Sequence, residues 1–191
     1  MKKRSFKFLG LLAGLSMMTM VSCLDKDEVE YPTVDIKDVV ANYSGKVVIS
    51  HNGLNKENLI LHTVTTDSIK FAEIPLSQIV SSIEKDDVKA ASIVAALGKV
   101  KYGFRYEGTV RQSYGGIELA LKPQPMELMI PTDNGTKKLV VAFTAPELGF
   151  YSATEKAMAF KLKVDQIKYD DVTVDPFTSI VYTLPYSSKT K

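Results

Sequence analysis

The sequence predicts a mostly β domain, built as an antiparallel β-sandwich or a small β-barrel with one short helical insertion. Apolar and polar residues alternate through much of the chain, which is the period of half-buried strands. Two Asn-Gly pairs stand between such segments, and a single stretch repeats at helical spacing. Many antiparallel strands around one helical segment fit either architecture.

Period-two alternation defines the strands. In the clearest case Met158, Phe160 and Leu162 face one way, while Lys161 and Lys163 face the other. The predicted strands cover residues 45–51, 58–65, 68–74, 100–107, 117–122, 126–130, 138–144, 157–167 and 178–184. Prolines fall between them, as expected for a residue that cannot donate to a strand ladder.

Turn chemistry predicts two hairpins. Asn-Gly is the strongest short hairpin signal because both residues tolerate positive φ. Asn52-Gly53 is predicted to join 45–51 to 58–65 through a longer loop, and Asn134-Gly135 to join 126–130 to 138–144.

The helical insertion is predicted at about 76–97, as two short helices. Ile79, Val80 and Ile83 share one face of the first. Asp86-Asp87 supplies a cap for the second, and Gly98 ends it.

The chain begins with a predicted signal peptide, residues 1–22. A basic head is followed by an apolar run over 8–21, the pattern of a secretory signal. The run is shorter than the roughly 20 apolar residues that a membrane-spanning helix needs.

Met20-Val21-Ser22-Cys23 resembles the lipobox of bacterial lipoproteins, with Met20 in place of the usual leucine. The resemblance implies cleavage before Cys23, acylation of its sulfur and its freed amine, and a firm anchor, since two or more acyl chains hold stably. The lipid anchor makes the outer membrane an expected partner of the protein.

The residues after Cys23 indicate where the anchor is displayed. Leu24 followed by Asp25, Lys26, Asp27 and Glu28 resembles the export signal of surface lipoproteins in the Bacteroidetes. The resemblance implies the outer face of the outer membrane. A periplasm-facing anchor with an ordinary acidic linker is the alternative.

Residues 23–38 are polar and acidic, and we expect a lipidated, flexible tether there, followed by a single β-rich domain over 39–191. The stretch over 41–49 is similar to the opening strand of small Bacteroides lipoproteins. Some of these are domains of unknown function and others calycin-like barrels.

Charge and cysteine content exclude several classes of function. The chain has 24 basic and 22 acidic residues, and four basic ones lie in the predicted signal, so the mature net charge is about −2. Nucleic-acid binding needs a concentrated basic face. Lipidation of Cys23, the only cysteine, leaves no thiol for disulfides, catalysis or metal binding.

The sequence shows little catalytic chemistry, and we expect no enzyme, no cofactor and no metal. Phosphate-binding and dinucleotide-binding glycine motifs are absent, as are metalloprotease and serine-hydrolase motifs. The two histidines, His51 and His62, are not predicted to be direct partners across the first hairpin. Ser82 and Lys85 match an isolated Ser-x-x-Lys without its companion motifs. Asp170-Asp171 is predicted to be a solvated turn.

Four residues are candidates for contact or modification. Tyr102 and Tyr106, on one stripe with Phe104, either line a ligand surface or belong to the core, and the core is favoured. Tyr114 is predicted at a mobile hairpin tip, where contacts often lie. Asp67-Ser68-Ile69 resembles the O-glycosylation motif of Bacteroidetes, which implies a glycan on Ser68.

Three functions remain open at this point. The first is a non-enzymatic binding module for an unknown ligand or envelope protein, where a barrel cavity would indicate a small molecule. The second is a structural or accessory subunit of an envelope assembly, marked by an exposed apolar patch or an open strand edge. The third, less favoured, is a hydrolase whose carboxylates are scattered in sequence.

Overall fold

Strands dominate the computed structural model, which describes residues 30–133 and 135–190. Two α-helices, α1 (Ser77–Ile83) and α2 (Asp87–Leu97), follow the third strand, and short 3-10 turns occupy Ile36–Val39 and Gln112–Tyr114. The strands are β1 (Ala41–His51), β2 (Leu54–Val64), β3 (Ser68–Phe71), β4 (Tyr102–Arg111), β5 (Gly116–Lys122), β6 (Met126–Thr132), β7 (Gly135–Thr144), β8 (Gly149–Ser152), β9 (Ala157–Tyr169), β10 (Val172–Thr173) and β11 (Ile180–Lys189).

Eight of these strands close into an antiparallel barrel in the order β1, β2, β3, β4, β5, β8, β9, β11. The ring closes because β9 pairs with β8 on one side and with β11 on the other. The predicted mostly β fold with a helical insertion is therefore confirmed, and the barrel is the architecture adopted.

Strands β6 and β7 extend the sheet beyond this ring. β9 is long, and its second half pairs with β7 where β8 does not reach. Within residues 30–133 and 135–190, β6 pairs with β7 alone. Pro123 and Pro125 separate β5 from β6, since proline interrupts the ladder.

Aromatic side chains fill the barrel interior. Inward residues on β3, β4 and β9 form one cluster, with the ring centroids of Phe71 and Phe104 6.1 Å apart and those of Phe104 and Phe160 6.2 Å apart. Tyr102 and Tyr106 lie in the same interior, and their hydroxyls donate to the backbone carbonyls of Gln124 and Thr65, each at 2.7 Å. A small barrel packed in this way encloses side chains rather than a ligand.

The helices close one end of the barrel. Ile79 and Val80 of α1 are fully buried. The hydroxyl of Tyr182 donates to the carbonyl of Pro75 at 2.7 Å, which ties the segment before α1 to β11.

The N-terminal segment closes the other end, which corrects the predicted boundary at residue 39. Part of the expected tether over residues 23–38 is packed, because Val34 is buried. Val39, at the predicted start of the domain, is buried too, and the hydroxyl of Tyr43 donates to its carbonyl at 2.7 Å. Asp35 and Asp38 cap the 3-10 turn reciprocally. Burial of the two valine side chains favours this packing, and the side chain of Gln112 adds two hydrogen bonds, accepting from the amide of Val34 at 3.1 Å and donating to its carbonyl at 2.6 Å.

The first hairpin is tighter than predicted. Asn52 and Gly53 have φ values of 52° and 74° and form a two-residue turn, so β2 begins at Leu54 instead of after a longer loop. The second predicted hairpin is present, pairing Thr132 with Gly135, while Asn134 lies outside the described residues.

Asp170 and Asp171 form an exposed turn between β9 and β10, with φ values of 55° and 62°. β8 and β10 were not predicted, because four and two residues are too few to establish a period.

Candidate functional site

A surface groove lies beside β2, between this strand, the segment leading into α1 and the C-terminal end of α2. Its volume is about 390 Å³. Its walls include Leu59, Leu61, Ala72, Ile74, Val94 and Lys99.

Two leucines on β2 are exposed at this groove. Ile60, His62 and Val64 point into the barrel, so Leu59 and Leu61 point outward. Leu59 is 74% exposed and Leu61 49%. Exposed apolar side chains that lie next to each other on a folded domain often mark an interaction site.

The groove runs along a strand edge that is only partly covered. β2 pairs with β1 over its whole length, but β3 pairs only with His62, Thr63 and Val64. The amide of Ala72 donates to the carbonyl of Leu61 at 3.0 Å, after which the chain turns away toward α1. The edge over Asn55–Leu59 is left without a neighbouring strand among the described residues.

Charges near the groove are mixed. Glu57 pairs with Lys46 of β1 at 2.9 Å, with both side chains largely exposed. Glu73 and Lys99 both line the groove. An exposed pair of this kind contributes little to stability, about 0–1 kcal/mol, and the groove has no dominant sign of charge.

A second cleft gathers the polar residues noted in the sequence. His51, Ser82 and Lys85 line a cavity of about 410 Å³ between the first hairpin turn, the helices and the 176–178 loop. The Ser82 hydroxyl donates to the carbonyl of Gln78 at 2.9 Å, and Lys85 donates to the carbonyls of Ser81 and Ser82 at 3.2 Å. Because the hydroxyl is already engaged with the helix backbone, the trio lacks the nucleophile–base contact that acyl transfer requires. Desolvation, and then the charge of Lys85, lower the pKa of His51.

The three candidate tyrosines do not form one site, because two of them lie in the core and the third lies on the surface. Tyr102 and Tyr106 are 6% and 4% exposed, in the core. Burial, with the charge of Asp67 as a lesser cause, raises the pKa of Tyr106 to about 12. Tyr114 is exposed in the 3-10 turn between β4 and β5, and its hydroxyl donates to Glu118 at 2.8 Å.

The hairpin tip next to Tyr114 packs against the N-terminal segment. A side chain at Gly115 would meet Tyr31 and Pro32 at 3.1 and 3.2 Å. This tip, predicted to be mobile, is therefore in contact with the chain that enters the domain.

The modification candidates stay predictions. The Ser68 hydroxyl lies 2.7 Å from that of Thr65 at the start of β3, half-buried. Cys23, Asp25, Lys26, Asp27 and Glu28 lie outside the described residues.

His62 is a buried, neutral core residue. Its ring stacks on Tyr43 with centroids 5.3 Å apart, and its Nε2 lies 3.2 Å from the sulfur of Met158. Its Nδ1 has no hydrogen-bond partner among the residues that the structure describes. Burial lowers the pKa of His62 to about 4.

Within residues 30–133 and 135–190, no three acidic, histidine or cysteine side chains converge as a metal site would require. None of the helices described there has the length and apolar character needed to cross a bilayer.

Residues 38–169 match the family described as "Domain of unknown function (DUF4840)". No curated protein and no solved structure matched the chain.

Proposed function

The chain belongs to the DUF4840 family, whose function is unknown, and we propose that it is a non-enzymatic, lipid-anchored envelope protein that binds a protein partner through the groove beside β2. The anchor is Cys23, and the location is the outer face of the outer membrane. The activity is binding rather than catalysis.

One observation carries the binding proposal: Leu59 and Leu61 stand exposed in a groove along an open strand edge. An apolar patch and an open edge are the features that distinguish an accessory subunit from a carrier of small molecules. The filled barrel interior supports the same choice, because aromatic side chains occupy the place of a lipocalin-type ligand.

The anchor rests on the sequence around Cys23 and on the place where the domain begins. Tyr31 is the first residue of the unit that contains the β-barrel. Seven residues lie between it and Cys23, so the two Cα atoms, eight residue steps apart, are separated by at most about 29 Å. A lipid on Cys23 therefore holds the domain close to the membrane surface.

The binding proposal is tested by replacing both groove leucines with serine. The full-length protein is purified in mild detergent from its native envelope, and co-purifying proteins are quantified by mass spectrometry. We expect one protein present with the wild type to fall at least tenfold with L59S/L61S. The control, M129S/L148S, removes two similarly exposed apolar side chains, 56% and 57% exposed. Equal recovery with both double variants contradicts the proposal.

The anchor is tested separately with Cys23→Ala. We expect the variant to stay unprocessed and to lose acyl labelling, while the wild type is cleaved and labelled. Surface display is measured by the accessibility of the protein to protease on intact cells. We expect it to be abolished in a variant in which four residues are replaced together by Ala or Ser: Asp25, Lys26, Asp27 and Glu28. Unchanged processing and labelling of Cys23→Ala contradicts the anchor.

A hydrolase is the weaker alternative. The cleft of His51 and Lys85 is the only observation in its favour, and the engaged Ser82 hydroxyl counts against it. The test is a panel of ester, peptide and glycoside substrates. Turnover of one of them by the wild type, with loss of that activity in His51→Gln, would favour a hydrolase over binding alone.

A further inference from the structure

We infer that the partner binds by adding an extended segment of a different polypeptide chain to the open edge of β2, pairing with Asn55, Glu57 and Leu59. This inference rests on the proposed function, because it specifies how the groove recognises its partner.

The register identifies the backbone groups that face outward. Leu54 pairs with His51 across a two-residue turn, and the pair that flanks such a turn is hydrogen-bonded. Hydrogen bonding to β1 then alternates along β2, so that Asn55, Glu57 and Leu59 direct their N–H and C=O groups away from β1. The bond from Ala72 to the carbonyl of Leu61 lies on this same edge and fixes the phase.

These groups match an extended polypeptide backbone. Outward residues recur every second position, about 6.8 Å apart, with one donor and one acceptor each. β3 already pairs with one end of β2, over His62–Val64. An added strand would pair with the other end, over Asn55–Leu59, in line with β3. Main-chain hydrogen bonds of this kind give affinity in strand addition, and side-chain pockets give specificity.

The groove supplies the pocket. An added strand lies about 4.8 Å from β2, on the side where the groove opens. Its outward side chains would lie beside Leu59, Leu61 and Ala72. The partner segment is therefore expected to carry an apolar residue at this position.

Charge argues against a second copy of the same chain. Two copies would pair antiparallel about a two-fold axis, and the register that uses all three outward residues centres on Glu57. Each Glu57 would then face the Glu57 of the other copy, and like charges directly opposite destabilise a strand pair. A neutral or basic residue opposite Glu57 fits instead.

The open edge of β6 contrasts with this one. Among the described strands β6 pairs only with β7, and the register across Thr132 and Gly135 leaves Glu127, Met129 and Pro131 facing outward. Pro131 has no N–H to donate, a common way of protecting an edge from strand addition. The Asn55–Leu59 edge contains no proline.

Mapping of cross-links tests the pairing directly. A photo-reactive residue is placed at 55 or at 59 in the full-length protein, in its native envelope, and adducts are mapped by mass spectrometry. Positions 55 and 59 of a paired strand lie about 13 Å apart. If the partner is an extended strand, the two partner residues that they label are about four residues apart in sequence. If the partner is a helix, they are about nine residues apart, because a helix rises only about 1.5 Å per residue. The control position, Thr109, lies on the outer side of β4 and is expected to label nothing in that segment. Helical spacing, scattered sites or equal labelling from Thr109 overturns the inference.

A proline provides a second test. Glu57→Pro removes an outward N–H that the fold does not use, and Glu57→Ala removes the same side chain while keeping the N–H. We expect cross-linking from position 59 to fall roughly fivefold or more with proline relative to alanine, since the added strand loses a backbone bond and leaves its own acceptor unpaired. If thermal melts show Glu57→Pro unfolded, Asn55→Pro compared with Asn55→Ala replaces it, and if neither proline variant folds, the cross-link spacing decides.

The two proposals fail in different ways. If L59S/L61S loses the partner while Glu57→Pro behaves as Glu57→Ala, the groove binds a partner but strand addition is wrong. If neither change affects recovery or cross-linking, both proposals are wrong.

Discussion

His62 makes the stability of the barrel depend on pH, in a range where most of its neighbours do not titrate. The side chain is 2% exposed among Tyr43, Phe71 and Phe160, and burial lowers its pKa from 6.5 to about 4. Protonation places a charge in this aromatic cluster. The unfolded chain therefore binds a proton more readily than the folded one.

The sign and size follow from that difference in pKa. The stability linked to neutral His62 is complete above pH 6.5 and is lost as the pH falls from 6.5 toward 4, because the unfolded state takes up the proton first. At 1.36 kcal/mol per pKa unit, the loss is about 1.4 kcal/mol at pH 5.5 and about 2.5 kcal/mol at pH 4.5, approaching about 3.4 kcal/mol below pH 4.

Urea unfolding of wild type and His62→Phe at pH 7.5, 6.5, 5.5 and 4.5 measures this. Phenylalanine keeps the aromatic contacts and removes both the titration and the unpaired Nδ1, so the variant is expected to match or exceed the wild type at pH 7.5. The difference between the two free energies of unfolding is expected to grow by about 2.5 kcal/mol down to pH 4.5. Carboxylates that titrate in this range are present in both proteins and cancel.

The control is His51→Gln, which removes the other histidine at the exposed hairpin end and is expected to leave most of the loss in place. Parallel pH curves for wild type and His62→Phe would refute the reasoning.

Three further changes test the packing. Gly45→Ala places a Cβ against the hydroxyl of Ser187 and 2.5 Å from the carbonyl of Tyr186, and is expected to cost about 1–3 kcal/mol in urea unfolding. Gly103→Ala, whose Cβ meets the flexible stem of Lys70 at 3.2 Å and the carbonyl of Ile69 at 3.3 Å, is expected to cost less than Gly45→Ala. Tyr182→Phe removes the hydroxyl bound to Pro75 and is expected to cost about 1 kcal/mol in the same assay, with no change contradicting the role of that bond. Val39→Ala is expected to lower the thermal midpoint by several degrees, through about 1–2 kcal/mol of lost burial, and an unchanged midpoint would contradict packing of the N-terminal segment.

Much of the fold was predictable from local patterns. The stripe of Tyr102, Phe104 and Tyr106 identified an inward face, and the helices around Ile79 and Asp86 were placed near their observed positions. These features depend on spacing along one segment, which the sequence displays. The choice between sandwich and barrel depends on β9 pairing with both β8 and β11, a long-range property that no single segment contains.

The candidate groove could not be predicted from the sequence either, because it too depends on long-range strand pairing. Leu59, Ile60 and Leu61 form one apolar run, and only Ile60 is buried. From the sequence alone, Leu59 and Leu61 resemble core residues. Their exposure follows from the fold, because β3 is only four residues long and does not cover this part of β2. Val34 was misjudged in the opposite direction, because its acidic neighbours made a packed segment resemble a flexible tether.

Hydrogen exchange on the complex tests the account most directly. Amide exchange at Asn55, Glu57 and Leu59 is measured by mass spectrometry in the purified domain and in the detergent-solubilised assembly that retains the partner. All three amides are expected to exchange fast in the free domain and at least about tenfold more slowly in the assembly, while Glu127 and Met129 on the β6 edge exchange equally fast in both. Unchanged exchange at Asn55, Glu57 and Leu59 in an assembly that still holds the partner would contradict binding at the edge of β2.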